Sequence, residues 1–106
     1  MTPLWAVPPA VAAAILATTP PRCAYVYDRA VVRERARALR GALPPGSMLL
    51  YAVKANGHPG VLDALADVVD GFEVASGGEL ALARAAARPG QAIVMGGPGK
   101  TEDELR

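Results

Sequence analysis

The sequence predicts an α/β chain built on a parallel sheet. Apolar runs at Met48–Val53, Gly71–Ala75 and Ala92–Met95 have the length of short strands and recur at a step of about 21 residues. Each run is followed by a stretch with helical spacing. The runs are near-continuously apolar instead of alternating, which marks strands covered on both faces, as in βα units. Open doubly wound sheets and closed barrels both meet this pattern. Both put functional groups in the loops after the C-terminal ends of the strands.

In order along the chain, residues 1 to 22 read as an arm. It holds a short Ala-rich helix over about Ala10–Ala17 and then the breakers Thr18, Thr19, Pro20 and Pro21. Cys23 to Tyr27 is rich in strand-favouring residues, with Cys23 expected to be buried. Asp28 is placed to cap a helix whose apolar positions Val32, Ala36, Leu39 and Leu43 follow a 4, 3, 4 spacing, and Gly41 with Pro44-Pro45-Gly46 ends it. The helix after the first βα strand spans about Pro59–Val69, with Val61, Leu62, Leu65, Val68 and Val69 inward. The next spans Gly78–Ala87, and a third begins at Thr101.

Composition narrows the function classes. With 106 residues, 52% of them hydrophobic, the chain supports a packed core but falls well short of the roughly 200 to 250 of a complete α/β barrel. Eleven basic and ten acidic residues leave a net charge of +1, which gives no footprint for nucleic acid or an anionic membrane. Arg33, Arg35, Arg37 and Arg40 sit at helical spacing, as on a solvated helix face. The single cysteine excludes an internal disulfide and a cysteine zinc cluster and fits a reducing, cytoplasmic setting. The apolar run Trp5–Ala17 is broken by Pro8 and Pro9, is too short to span a bilayer and lacks the basic start of a signal peptide. No metal ligand set and no membrane segment is expected.

Lys54 directly follows the apolar strand Met48–Val53, where a lysine stands at the active end of a sheet and is expected to be partly desolvated. Burial favours the neutral amine, and a neutral amine is the form that bonds to an aldehyde as a Schiff base. Position alone leaves a second reading, a lysine that snorkels to solvent.

The string around it adds a resemblance. Tyr51-Ala52-Val53-Lys54-Ala55-Asn56 resembles the cofactor-lysine motif of the pyridoxal-phosphate-dependent diaminopimelate and ornithine decarboxylases, and Gly71-Phe72-Glu73-Val74-Ala75-Ser76-Gly77-Gly78-Glu79-Leu80 is similar to that family's second-strand motif. Thr19-Pro20 through Tyr27-Asp28 resembles its opening strand. Gly96 to Leu105 resembles its third-strand exit. Four ordered motifs over roughly residues 19 to 105 are far more specific than any one of them.

The resemblance implies the N-terminal part of a (β/α)8 TIM barrel of the alanine-racemase-like type. About three βα units would be present, with residues 23–28 as an opening strand that joins a C-terminal β domain and 29–106 as an incomplete cofactor-binding barrel domain. It implies pyridoxal 5'-phosphate as cofactor, with Lys54 and Glu73 catalytic and Lys54, Ala52, Glu73 and Glu79 as cofactor contacts. It implies a small amino-acid substrate and a cytoplasmic homodimer with the active site at the subunit interface. The family's phosphate-binding loop, pyridine-nitrogen partner and ring-stacking histidine come later in the chain, so the 106 residues alone are expected to bind cofactor weakly and to be inactive.

Individual residues keep plainer readings open. Many relatives have aspartate where Glu73 stands, and Glu73 is equally readable as an acid paired with a neighbouring strand. Glu79 follows Ser76 by three residues, so a capping box explains it with or without a place in the site. His58, the sole histidine, reads as a loop or helix-start residue. Gly96-Gly97-Pro98-Gly99-Lys100-Thr101 ends like a nucleotide loop, but Val94 stands where that loop needs its first glycine. A strand exit and helix start is preferred; ATP binding that depends on Lys100 and not Lys54 would reverse this. Within the barrel class, the leading activity is amino-acid decarboxylation, with racemisation and a non-catalytic cofactor carrier as rivals.

Overall fold

The computed structural model describes residues 6 to 106. The front of the expected arm, including Trp5, lies outside the described residues. The elements in order are α1 (Pro9–Ala17), α2 (Arg29–Ala42), β1 (Leu50–Ala52), a 3-10 turn (Val53–Ala55), α3 (Pro59–Ala66), β2 (Gly71–Val74), α4 (Gly77–Ala86), β3 (Ala92–Met95) and α5 (Glu102–Leu105). The three strands form one parallel sheet in the order β1-β2-β3.

Register explains the layering. Tyr51, Phe72 and Ile93 align on one face, and Ala52, Glu73 and Val94 on the other. Phe72 and Val74 are fully buried beneath helices, whereas Val94 is 45% exposed. The core therefore lies between the sheet and α2, α3 and α4, where Ala36, Val61, Leu62, Leu65, Phe72, Val74 and Ala83 join one cluster. The opposite face is bare among the described residues. Gly71 allows the two strands to pair closely: a Cβ there would stand 2.1 Å from the Ala92 carbonyl oxygen.

Side chains finish the ends of α3. Its last carbonyls lack helical partners, as at any helix C-terminus. Ala64 O accepts from Arg33 Nε at 3.1 Å, Leu65 O from the Val68 and Val69 amides, and Ala66 O from Gln91 Nε2 at 2.6 Å. Arg40 Nε likewise donates to Val68 O at 2.9 Å and pairs with Asp70 at 2.8 Å. Arg33 and Arg40 thus differ from the expected solvated arginine row, because their stems reach across to carbonyls that α3 and its exit leave open.

Several boundaries differ from the sequence expectation. The first strand is Leu50–Ala52, not Met48–Val53. Asp70 Oδ2 accepts the Leu49 amide at 2.7 Å and closes the ladder at its start, and Val53 enters the 3-10 turn. The helix over Pro59–Val69 stops at Ala66 because the chain turns back onto Leu65 O, although all five expected inward residues are buried. Leu39 and Leu43, expected inward, are 53% and 39% exposed, so α2 meets the core chiefly through Ala36. Residues 23 to 27 form no strand, and Cys23 is exposed, not buried. A strand exists only through its ladder, and no described edge pairs with this segment.

Candidate functional site

The parallel ladder brings the C-terminal ends of all three strands to one end of the sheet. Ala52 pairs in register with Glu73, and Glu73 with Val94, so the residues just past them share that end: Lys54 in the 3-10 turn, Ser76 at the start of α4, and Gly96 after β3. The sequence-predicted set Ala52, Lys54, Glu73 and Glu79 therefore lies at one end of the fold.

Lys54 differs from expectation in one respect. Its side chain, on the 3-10 turn after β1, is exposed among the described residues instead of partly desolvated. It makes no ion pair among the described residues. The turn that carries it is held from below. Val53 is 1% exposed in the core, and the Tyr51 hydroxyl donates to Asn56 O at 3.1 Å across the turn. Burial raises the Tyr51 phenol above its ordinary pKa, so the hydroxyl keeps the proton it donates. The Tyr51 ring meets Phe72 edge-on at 6.5 Å.

Glu73 is half-buried on the bare face and makes no hydrogen bond or ion pair among the described residues, which removes the reading of an acid salt-bridged to a neighbouring strand. Its carboxylate lies over Gly96, where an added Cβ would stand 2.8 Å from Oε1.

Glu79 does only half of what a capping box requires. Ser76 Oγ accepts from the Glu79 amide at 3.1 Å, but Glu79 Oε2 accepts from the Ser76 hydroxyl at 3.2 Å and not from the Ser76 amide. Glu79 Oε1 is buried and has no partner. A buried acceptor without a donor is costly and marks a place where a further group belongs. The complete capping box lies elsewhere, between Thr101 and Glu104. Its T-x-x-E spacing is a sequence signal for the box, whereas no spacing signals the reach of Glu104 Oε1 to the Gly77 amide, 3.0 Å.

His58 caps α3 through Nδ1, which accepts from the Gly60 amide at 3.0 Å, and its own amide donates to Asn56 Oδ1 at 2.9 Å. An apolar groove of about 470 Å³ runs between α2, α3 and the β1 edge, lined by Val31, Leu39, Tyr51 and Leu65 among others. None of Lys54, Glu73 or Glu79 lines it. No described helix is long and apolar enough to cross a membrane, and no described His, Cys, Asp or Glu cluster is suited to a metal ion.

The set suits an aldehyde cofactor: an amine free of ion pairs among the described residues, a carboxylate at the same end of the sheet and a buried acceptor lacking a donor. Comparison with known proteins points the same way. Residues 29–106 match the family model described as pyridoxal-dependent decarboxylase, pyridoxal binding domain. A 2-[(L-alanin-3-ylcarbamoyl)methyl]-2-hydroxybutanedioate decarboxylase from Staphylococcus aureus is 42% identical over 86 residues, covering 81% of this chain and 21% of that protein. Diaminopimelate decarboxylases from Aquifex aeolicus and Pseudomonas fluorescens are 44% and 42% identical, over 76% and 77% of this chain and 19% and 20% of theirs. The chain spans about a fifth of the length of these curated relatives.

Proposed function

The chain belongs to the pyridoxal-dependent decarboxylase family, and from that membership we propose that the full-length protein decarboxylates an amino acid with pyridoxal phosphate held on Lys54. The observation that carries this is the exposed Lys54 at the strand end, without an ion pair among the described residues, within a family match that spans residues 29–106. When bound, pyridoxal phosphate supplies an electron sink for the bond that breaks at the α carbon.

The chain's own residues have separable tasks. Lys54 Nζ would hold the cofactor and would be placed to carry a proton. Glu73 holds its carboxylate on the bare face at the same end of the sheet as Lys54, where it would face a bound group. Glu79 Oε1 supplies an acceptor to a donor on the bound group, and Ala52, opposite Glu73 in the ladder, is small enough to leave the bare face open above it. Tyr51 keeps the lysine turn in place from the other side.

The remaining assignments follow from the resemblance. The bare sheet face is read as one part of the interior of a (β/α)8 barrel, with residues 23–28 joining a separate β domain and the active enzyme a cytoplasmic homodimer. Three βα units leave open sheet edges, so the segment alone is proposed to be inactive. Decarboxylation is favoured over racemisation because the relatives' names are those of decarboxylases. Those names divide between diaminopimelate and the L-alanin-3-ylcarbamoyl compound, so both belong in a substrate screen.

The test is reductive labelling. The full-length protein is incubated with pyridoxal phosphate, reduced with borohydride, digested and mapped. The label is expected on Lys54, and a label on any other lysine refutes the reading. Carbon dioxide release with an amine product marks a decarboxylase, and the inverted amino acid formed without carbon dioxide marks a racemase.

A further inference from the structure

The length of Glu73 is matched by what faces it. Its Oε1 occupies the space a side chain at position 96 would fill: a Cβ there would lie 2.8 Å from Oε1 and 3.9 Å from the Glu73 Cδ. Real Cβ atoms are essentially never found under 3.0 Å from a neighbour, so a methyl group at 96 forces a movement. We propose that Gly96 is a positioning residue, which sets the place of the Glu73 carboxylate at the open end of the sheet by leaving room for it. The proposal rests on the cofactor reading above for its functional consequence, but not for its geometry.

Three further observations decide what moves. The Gly96 amide donates to Val74 O at 2.8 Å and extends the β2–β3 ladder by one residue, so its backbone is pinned. Gly96 does not have a left-handed φ, unlike Gly97 at 95°, so the backbone itself would accept alanine. Glu73 has no hydrogen-bond or ion-pair partner among the described residues to hold it against a push. The carboxylate is therefore the part that yields, and the fold is not. Room for the acid, and not backbone freedom, is what the missing side chain at 96 provides. An aspartate at 73 would end one methylene earlier, and that room would then serve no purpose.

The consequence is a coupling between two residues on different strands. In the full-length protein reconstituted with pyridoxal phosphate, Gly96→Ala, Glu73→Asp and the double variant are compared with the unchanged protein. The readouts are kcat/KM, the pH midpoint of the visible absorption band, thermal midpoint and a crystal structure of each. Gly96→Ala is expected to lower kcat/KM about three- to tenfold and to shift the pH midpoint, while in the Glu73→Asp background the same change alters kcat/KM less than about twofold. The crystal structure of Gly96→Ala should show Glu73 Oε1 retreating from 2.8 Å to at least 3.4 Å from the new methyl with β3 in place. Equal effects in both backgrounds, no effect in either, or a displaced β3 beneath an unmoved carboxylate overturns the proposal. Failure of the cofactor reading shows separately, as borohydride label away from Lys54, and the crystal structures then still decide the geometry.

Discussion

Glu104 joins the starts of two helices: its Oε1 accepts the Gly77 amide at 3.0 Å while its Oε2 accepts the Thr101 amide at 3.0 Å. One carboxylate thereby satisfies an otherwise open donor in each first turn, where negative charge is favoured by the helix dipole. The Thr101 amide first, and the Gly77 amide with it, hold this carboxyl below its ordinary range. A depressed carboxyl stabilises the fold above its unfolded pKa and loses that contribution as pH falls through the folded value. Protection of the Gly77 and Thr101 amides against hydrogen exchange in the full-length protein should therefore decline with acidification below about pH 4.5. Glu104→Gln should lower protection at neutral pH and remove that acid dependence; an unchanged acid profile would count against the linkage.

Phe72 is predicted to be the most sensitive core position. It is fully buried in the central strand and meets Tyr51 edge-on with centroids 6.5 Å apart. Phe72→Ala should cost about 3 to 5 kcal/mol, and Phe72→Leu no more than about 1.5. Denaturant midpoints of the full-length variants check both, and a small loss for alanine would mean that the cavity collapses.

What the sequence disclosed and what it hid divide along physical lines. Periodicity located every described strand and helix of the βα region, because apolar spacing is a local property: Val61, Leu62, Leu65, Val68 and Val69 are all buried as spaced. Boundaries failed where a distant side chain decides them. Asp70 takes the Leu49 amide at the start of the first strand, and nothing within Met48–Val53 announces that. The opening segment 23–27 has strand-favouring residues but no ladder partner among the described residues, and Cys23 is exposed there. For the candidate site, motif resemblance named the lysine and both acids as candidates. The Glu73–Gly96 contact and the Tyr51 latch on Asn56 were not, since each depends on register and rotamer and not on spacing.

Gln91 illustrates a structural role that no motif signals. Its Nε2 donates to Ala66 O at 2.6 Å and to Val69 O at 2.8 Å, and its Oε1 accepts the Arg88 amide at 2.8 Å. The side chain thus closes the exit of α3 and the turn before β3 together. Gln91→Ala leaves two carbonyls without donors and should cost about 1 to 3 kcal/mol. Gln91→Glu should cost at least as much, because it sets an acceptor against two acceptors. Urea titrations of the full-length variants distinguish this from a surface glutamine, for which both changes would be near neutral.

Lys54 should separate function from stability. Its side chain is exposed and makes no ion pair or hydrogen bond among the described residues, while the turn beneath it is fixed by Val53 in the core and by the Tyr51 hydroxyl on Asn56. Removing the amine therefore takes nothing from the fold, and Lys54→Ala should change stability by less than about 0.5 kcal/mol. The same change removes the only group proposed to bond the cofactor, so activity should fall at least about a thousandfold. Lys54→Arg is the sharper variant, since it keeps the positive charge at that position but offers a guanidinium that stays protonated and does not form the bond. If the charge were what mattered, arginine would restore function. A dead, stable Lys54→Arg protein that takes no borohydride label assigns the role to the amine itself, and an active one removes Lys54 from the chemistry.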